Sequence, residues 1–250
     1  MKIRLITFLT LLLGLFLTGT APALASDDYL TPYDGLLAQY VKPGNKDGIN
    51  AALVDYRGWA RDPRHLQAMV SLQKANPETL ISREEKAFWI NAYNLLTIDL
   101  IIHHPDIASI KDLGNLLQSP WKAYDWKIGG HTYTLDDIEQ RILRKRNDPR
   151  IHMAIVCASL SCPDLRNEAY RADKLDAQLD DQARRFLSNP AKGLKVMPSG
   201  VILSPILKWY AEDFGDEKGV LAFVAHYAVG VPTGATIDDY FTYNWNLNRP

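Results

Sequence analysis

The stretch AFWINAYNLLTIDLII, residues 87–102, decides the fold. It is apolar around most of a helical circumference, so it reads as a central buried helix rather than a surface one. Ser82 and Glu85, just upstream, have capping-box spacing: the Ser82 oxygen can accept the N3 amide, and Glu85 can reach back. His103-His104-Pro105 closes the helix. Asn91 and Asn94 lie three apart and share a face. Buried amides must find partners. Either they bond the backbone of a neighbouring loop, or they orient a catalytic group or bind substrate. On either reading Asn94→Leu is costly.

Outward from this helix the pattern is mixed. Leu36 to Val41 reads as a brief helix. Asp62-Pro63 starts a clearer one, with Asp62 as cap, Pro63 at the first position and Leu66, Met69, Val70 and Leu72 as apolar positions. Tyr124 to Ile128 and His131 to Leu135 flank Gly129-Gly130, a hairpin signal. Asp136 and Glu139 suggest a second capping box before a helix over Ile138 to Lys145. Ile151 to Cys157 reads as a short buried strand. Asp173 to Leu187 is an amphipathic helix carrying Leu175, Leu179 and Phe186 on one face. A second hairpin is expected over Leu194 to Leu203. Ser204-Pro205 caps a helix through Trp209 and Phe214, and Asp216 opens another to about Tyr227. Without a regular βαβ alternation, the class is α+β: a single globular domain with a central buried helix, short antiparallel hairpins and several packed helices.

The chain begins like an exported protein. Lys2 and Arg4 precede an apolar segment, Leu5 to Leu17, and Ala23-Leu24-Ala25 offers small residues for cleavage. This predicts a cleaved signal peptide over residues 1–25, a short linker over 26–35 and one domain over 36–250. The apolar segment is short for a spanning helix, which needs about 20 residues. A periplasmic or secreted location follows, with no stable membrane span after cleavage. The net charge is −1. Such a balance attracts no polyanion in bulk, which argues against nucleic acid as a partner.

Both cysteines lie in RIHMAIVCASLSCPDL, residues 150–165. Cys162 before Pro163 could head a helix, where free backbone N–H groups favour a thiolate. On a strand, Cys157 shares a face with Ile151, Met153 and Ile155, while His152 points to the other. Three readings stand: a Cys157–Cys162 disulfide in an oxidising compartment, a reactive Cys162 thiol, or two buried thiols. A thiol mechanism needs a histidine base, and His131 and His152 are nearest in sequence. The histidines lack the i, i+4 metal spacing and there is no CxxC, so neither a metal site nor a cofactor signature is read.

AFWINAYNLLTI from Ala87, LDDIEQRILR from Leu135, HMAIVCASLSCPDL from His152 and the closing YNWNLN from Tyr243 together resemble the bacterial branch of the domain of unknown function 547 family. The resemblance covers about residues 86–248. It departs at Tyr243-Asn244-Trp245, where family members often have a YDW-type motif, and at Gln140, where they often have histidine. The resemblance implies no assigned activity. Plant relatives carry the domain behind coiled-coil segments, which implies interaction roles. Asn91, Asn94, Ser161, Cys162 and Pro163 match the family motif.

Two functions are therefore expected. The first is a binding or interaction domain of the cell envelope, taking a small molecule, a peptide or an envelope protein. The second is a thiol-dependent hydrolase or acyl transferase acting on peptide or amide bonds. In it Cys162 is the nucleophile, His152 or His131 the base, and Asn91, Asn94 or Ser161 an orienting or substrate-binding group.

Overall fold

The computed structural model describes residues 29–115 and 117–250. The leader read over residues 1–25 lies outside them.

The first helix, α1 (Leu30–Tyr40), buries Tyr33, Leu36 and Leu37. Residues 30–35, read as linker, are therefore helical. A hairpin follows, β1 (Val41–Lys46) and β2 (Ile49–Val54), paired antiparallel from Val41↔Val54 to Lys46↔Ile49. Its turn, Asp47-Gly48, has positive φ at both residues, 51° and 77°. Asp-Gly is a strong hairpin signal that the apolar pattern alone does not register. After the short α2 (Tyr56–Trp59), α3 (Pro63–Lys74) starts as expected, with the Asp62 side chain accepting from Arg64 N. Its buried face is His65, Ala68, Met69 and Leu72. Leu66 and Val70, expected inside, are exposed.

The central helix α4 (Ser82–Ile102) buries every residue from Ala87 to Ile98. Its cap is shifted by one residue from the expected box: Glu84, not Glu85, reaches back, accepting from Ile81 N at 3.2 Å. Around α4 sits the larger of the hydrophobic clusters, joining α1, α3 and the segment 151–165.

After the short α5 (Pro120–Ala123) comes the expected hairpin, β3 (Asp125–Ile128) with β4 (His131–Thr134). Gly129 and Gly130 both take positive φ, and a Cβ on Gly129 would stand 2.9 Å from Ala75 O. The helix expected over Ile138 to Lys145 is a widened π-turn, Asp137–Leu143, running into a 3₁₀ turn, Arg144–Arg146. Its capping pair is Thr134 and Asp137, which bond reciprocally, not Asp136 and Glu139.

The strand expected over Ile151 to Cys157 is not one. Pro149 opens a 3₁₀ turn, Pro149–Met153, and the chain then continues through Val156 without regular structure. Nor does Cys162 head a helix, since residues 163–166 form no regular element. Next comes α6 (Leu175–Leu187), buried at Leu175, Leu179, Ala183 and Phe186. The second hairpin forms as read, β5 (Leu194–Val196) with β6 (Gly200–Leu203). After α7 (Pro205–Trp209), a 3₁₀ turn over Ala211–Phe214 and α8 (Glu217–Tyr227), the strand β7 (Thr236–Tyr240) adds parallel to β6. This parallel pair joins two elements separated by helices, so no hairpin spacing announces it. A second hydrophobic cluster binds this mixed sheet to α6 and α8. The class is α+β. Among the described residues, no helix is long and apolar enough to cross a membrane.

Candidate functional site

The two asparagines of α4 act on backbone. Asn91 Oδ1 accepts from Tyr170 N at 2.8 Å, and its Nδ2 donates to Tyr170 O at 2.7 Å. Asn94 does the same one segment away: Oδ1 accepts from Val156 N at 2.8 Å, and Nδ2 donates to Ala154 O at 2.9 Å. Each side-chain amide supplies the donor and acceptor that a neighbouring strand would otherwise offer. Asn94 thereby fixes the chain immediately before Cys157.

From Cys157 the chain folds back. Ala158 sits in the left-handed region at φ 61°, a costly conformation for a residue with a Cβ. The fold-back brings the Cys157 and Cys162 sulfurs to disulfide distance. The C-terminal tail locks the loop from outside. Leu160 N donates to Asn246 O at 2.8 Å and Asn248 N to Ala158 O at 2.9 Å. The Ser161 hydroxyl accepts from Asn244 N at 2.8 Å. This pairing carries Tyr243 and Trp245 to the loop, with the Tyr243 hydroxyl 3.4 Å from Cys157 Sγ.

Loop and tail form one side of a cavity of about 400 Å³. Cys157, Cys162 and His152 all line it. Its walls are aromatic, contributed by Trp121, Trp209, Tyr210, Tyr243 and Trp245. Trp209, Tyr243 and Trp245 pack on one another, with ring centres 4.4–5.8 Å apart.

The buried acid in the cavity wall is Glu139, which the sequence pattern assigns to a cap. Glu139 is only 5% exposed. Tyr210 donates to its Oε1 at 2.5 Å and Tyr93 to its Oε2 at 3.2 Å. Gln140 Nε2 donates to Oε1 at 3.3 Å. Burial raises its pKa above the ordinary carboxylate value, and the two tyrosine hydrogen bonds only partly offset this. Gln140 also accepts from Arg144 at 2.5 Å. Arg144 forks onto Asp213 at 2.6 and 2.7 Å. Asp213 in turn meets His152 Nε2 at 2.6 Å, and the His152 ring stacks on Tyr210 with centres 4.0 Å apart. Burial pushes the His152 pKa down, with the Asp213 hydrogen bond opposing it. The imidazole is thus a wall of the cavity held in place by Asp213 and Tyr210.

The other expected site residues lie elsewhere. His131 is exposed on β4, 3.6 Å from Glu78, and is not among the lining residues of the cavity. Asn91, Asn94 and Ser161 are buried behind the lining and hold backbone. Among the described residues, no group of three His, Cys, Asp or Glu side chains is placed to hold a metal ion. Sequence reasoning missed Glu139, Tyr93, Tyr210 and the tryptophans. One signal was present for Glu139: Leu135, Ile138, Ile142 and Leu143 place it on the apolar stripe of its own helix.

These features define an α+β protein with one aromatic, acid-floored cleft closed on one side by a cysteine pair. Residues 77–187 match the family described as protein of unknown function, DUF547. The matched segment holds the FWINAYN, LDDIEQRILR and CASLSCP stretches, so the resemblance read from those motifs stands there. The tail that completes the cavity lies beyond it. No curated protein and no solved structure matches the chain.

Proposed function

We propose that this is an exported binding protein whose cleft takes a ligand bearing a positively charged amine. One observation carries the reading. The cavity is lined by two carboxylates, Asp136 and Glu139, and by no lysine or arginine among the described residues. Asp136 has Lys122 at 3.6 Å, but Glu139 forms no ion pair among the described residues and feels the Arg144 charge only as the smallest of the influences on it. Its charged form is therefore costly to bury, and an ammonium group arriving above it reduces that cost. The surrounding ring faces add cation–π attraction, worth about 0.5–2 kcal/mol per well-placed ring. The leader-like residues 1–25 support a place outside the cytoplasm. The sulfur pairing of Cys157 with Cys162, and the hold of Asp213 on His152 Nε2, favour binding over a thiol hydrolase.

Titration calorimetry with cadaverine, choline and the dianion glutarate tests this. Saturable binding of an amine, weakened at least tenfold in Glu139→Gln, is the expected outcome. Binding of glutarate as tight as that of the amines, or no saturable binding of either amine, sinks the reading.

A further inference from the structure

Amine binding makes no use of the sulfur in the cavity wall. Cys157 and Cys162 both face the cleft, but unequally. Cys157 is half-buried, while Cys162 is 3% exposed. Cys162 Sγ accepts a hydrogen bond from the Cys157 backbone N–H at 3.0 Å. Cys157 Sγ lies 3.3 Å from the Ser159 hydroxyl and 3.4 Å from that of Tyr243. A staple that merely pinned the loop would have little to add. The loop it closes is short, and stabilisation through chain entropy is smallest for short loops. The tail already holds that loop through the Leu160 and Asn248 backbone bonds.

We propose that Cys157–Cys162 is a redox-active disulfide that oxidises dithiols entering the cleft. Cys157 is the sulfur attacked and Cys162 the leaving group. The accessible sulfur receives the nucleophile. The buried one is the better leaving group, because a backbone N–H already points at it and stabilises the thiolate that forms.

The steps balance. A substrate thiolate attacks Cys157 Sγ, a new S–S bond forms, and the Cys157–Cys162 bond breaks with its electron pair left on Cys162. The second substrate thiolate then attacks the substrate sulfur of the mixed disulfide and expels Cys157 as thiolate. The substrate leaves as a disulfide, oxidised by two electrons. The protein keeps two reduced sulfurs, which take up the two protons the substrate thiols gave up. The protein disulfide is itself the oxidant, and each molecule turns over once.

The test begins with the folded protein and dithiothreitol in native buffer, quenched with acid and alkylated for mass spectrometry. The expected reduction rate is proportional to dithiothreitol concentration, with the near-ultraviolet circular dichroism retained. With glutathione as a monothiol, fragmentation of the tryptic peptide Ile151–Arg166 is expected to place glutathione on Cys157 and the alkyl group on Cys162. A rate independent of thiol concentration, which means exchange only after unfolding, overturns the proposal. So does glutathione on Cys162. A second comparison uses an aromatic disulfide reagent. The single thiol of Cys162→Ser is expected to react at least tenfold faster than that of Cys157→Ser, and equal rates overturn the order of attack. Should either variant fail to fold, the wild-type kinetics and peptide mapping decide alone.

Discussion

At the scale of single residues, Glu139 carries the most chemistry and was the least legible. A glutamate three residues after an aspartate reads as a cap. Here Thr134 and Asp137 cap instead, and Glu139 turns inward toward Tyr93 and Tyr210. The pattern could not distinguish these outcomes, because both place an acid in the first turn of a helix. The inward position has a consequence for stability. Burial raises the folded-state pKa of Glu139 above its ordinary value of 4.5. Between the unfolded and folded values, the folded protein binds the extra proton. This contribution to stability is therefore fully present below the unfolded value and is lost as pH rises through the folded one. His152 acts in the opposite sense. Its folded pKa is depressed, so its contribution is present above its ordinary value of 6.5 and is lost as pH falls through the folded one. Comparing variants isolates the first effect. In urea titrations from about pH 5 to about pH 8, stability of the wild type is expected to fall with pH relative to Glu139→Gln. Parallel pH curves would show that Glu139 does not titrate from a raised value.

At the scale of elements, the long helix was legible and the irregular ones were not. An apolar circumference over residues 87–102 has one sensible reading. The run Ile151 to Cys157 has several, since a segment buried on all sides shows no alternation to fix its conformation. Pro149 settles it by starting a 3₁₀ turn, and Asn94 then supplies the partners that the missing sheet neighbours would have provided. The π-turn over Asp137–Leu143 is similar in kind. Widened turns favour functional positions, and this one brings both Glu139 and Gln140 into the cavity lining. The dependence of the 154–156 segment on α4 predicts a large effect from one substitution. Asn94→Leu leaves Val156 N–H and Ala154 C=O buried without their partner. With about 1–3 kcal/mol for each of the two orphaned groups, a loss of about 2–6 kcal/mol is expected in urea unfolding. A loss below about 1 kcal/mol would mean the segment finds other partners.

At the scale of the molecule, stretches far apart in sequence meet at one cavity. FWINAYN supplies Tyr93 and the Asn94 clamp, LDDIEQRILR supplies Glu139 and Gln140, CASLSCP supplies the cysteine pair, and YNWNLN supplies Tyr243 and Trp245. Their convergence was not visible beforehand, because no spacing rule links a buried helix to a tail more than a hundred residues later. The tail works as a strap. Besides pairing with residues 158–161, it reaches Val54 N and the Tyr56 hydroxyl through Asn248, at 2.7 and 2.6 Å. Leu247 N also donates to Ala108 O at 2.9 Å. Ending the chain after Phe241 removes all of these at once, while α4 keeps its own helix bonds and most of its burial. Local rather than global loss is therefore expected. In hydrogen exchange, Leu160 and Ser161 amides should lose protection while those of α4 from Ile90 to Ile98 keep theirs. Amine affinity should fall with the loss of the Tyr243 and Trp245 walls. Uniform loss of protection across α4 would instead make the tail part of the main cooperative unit, and unchanged protection at Leu160 would show that the loop stands without it.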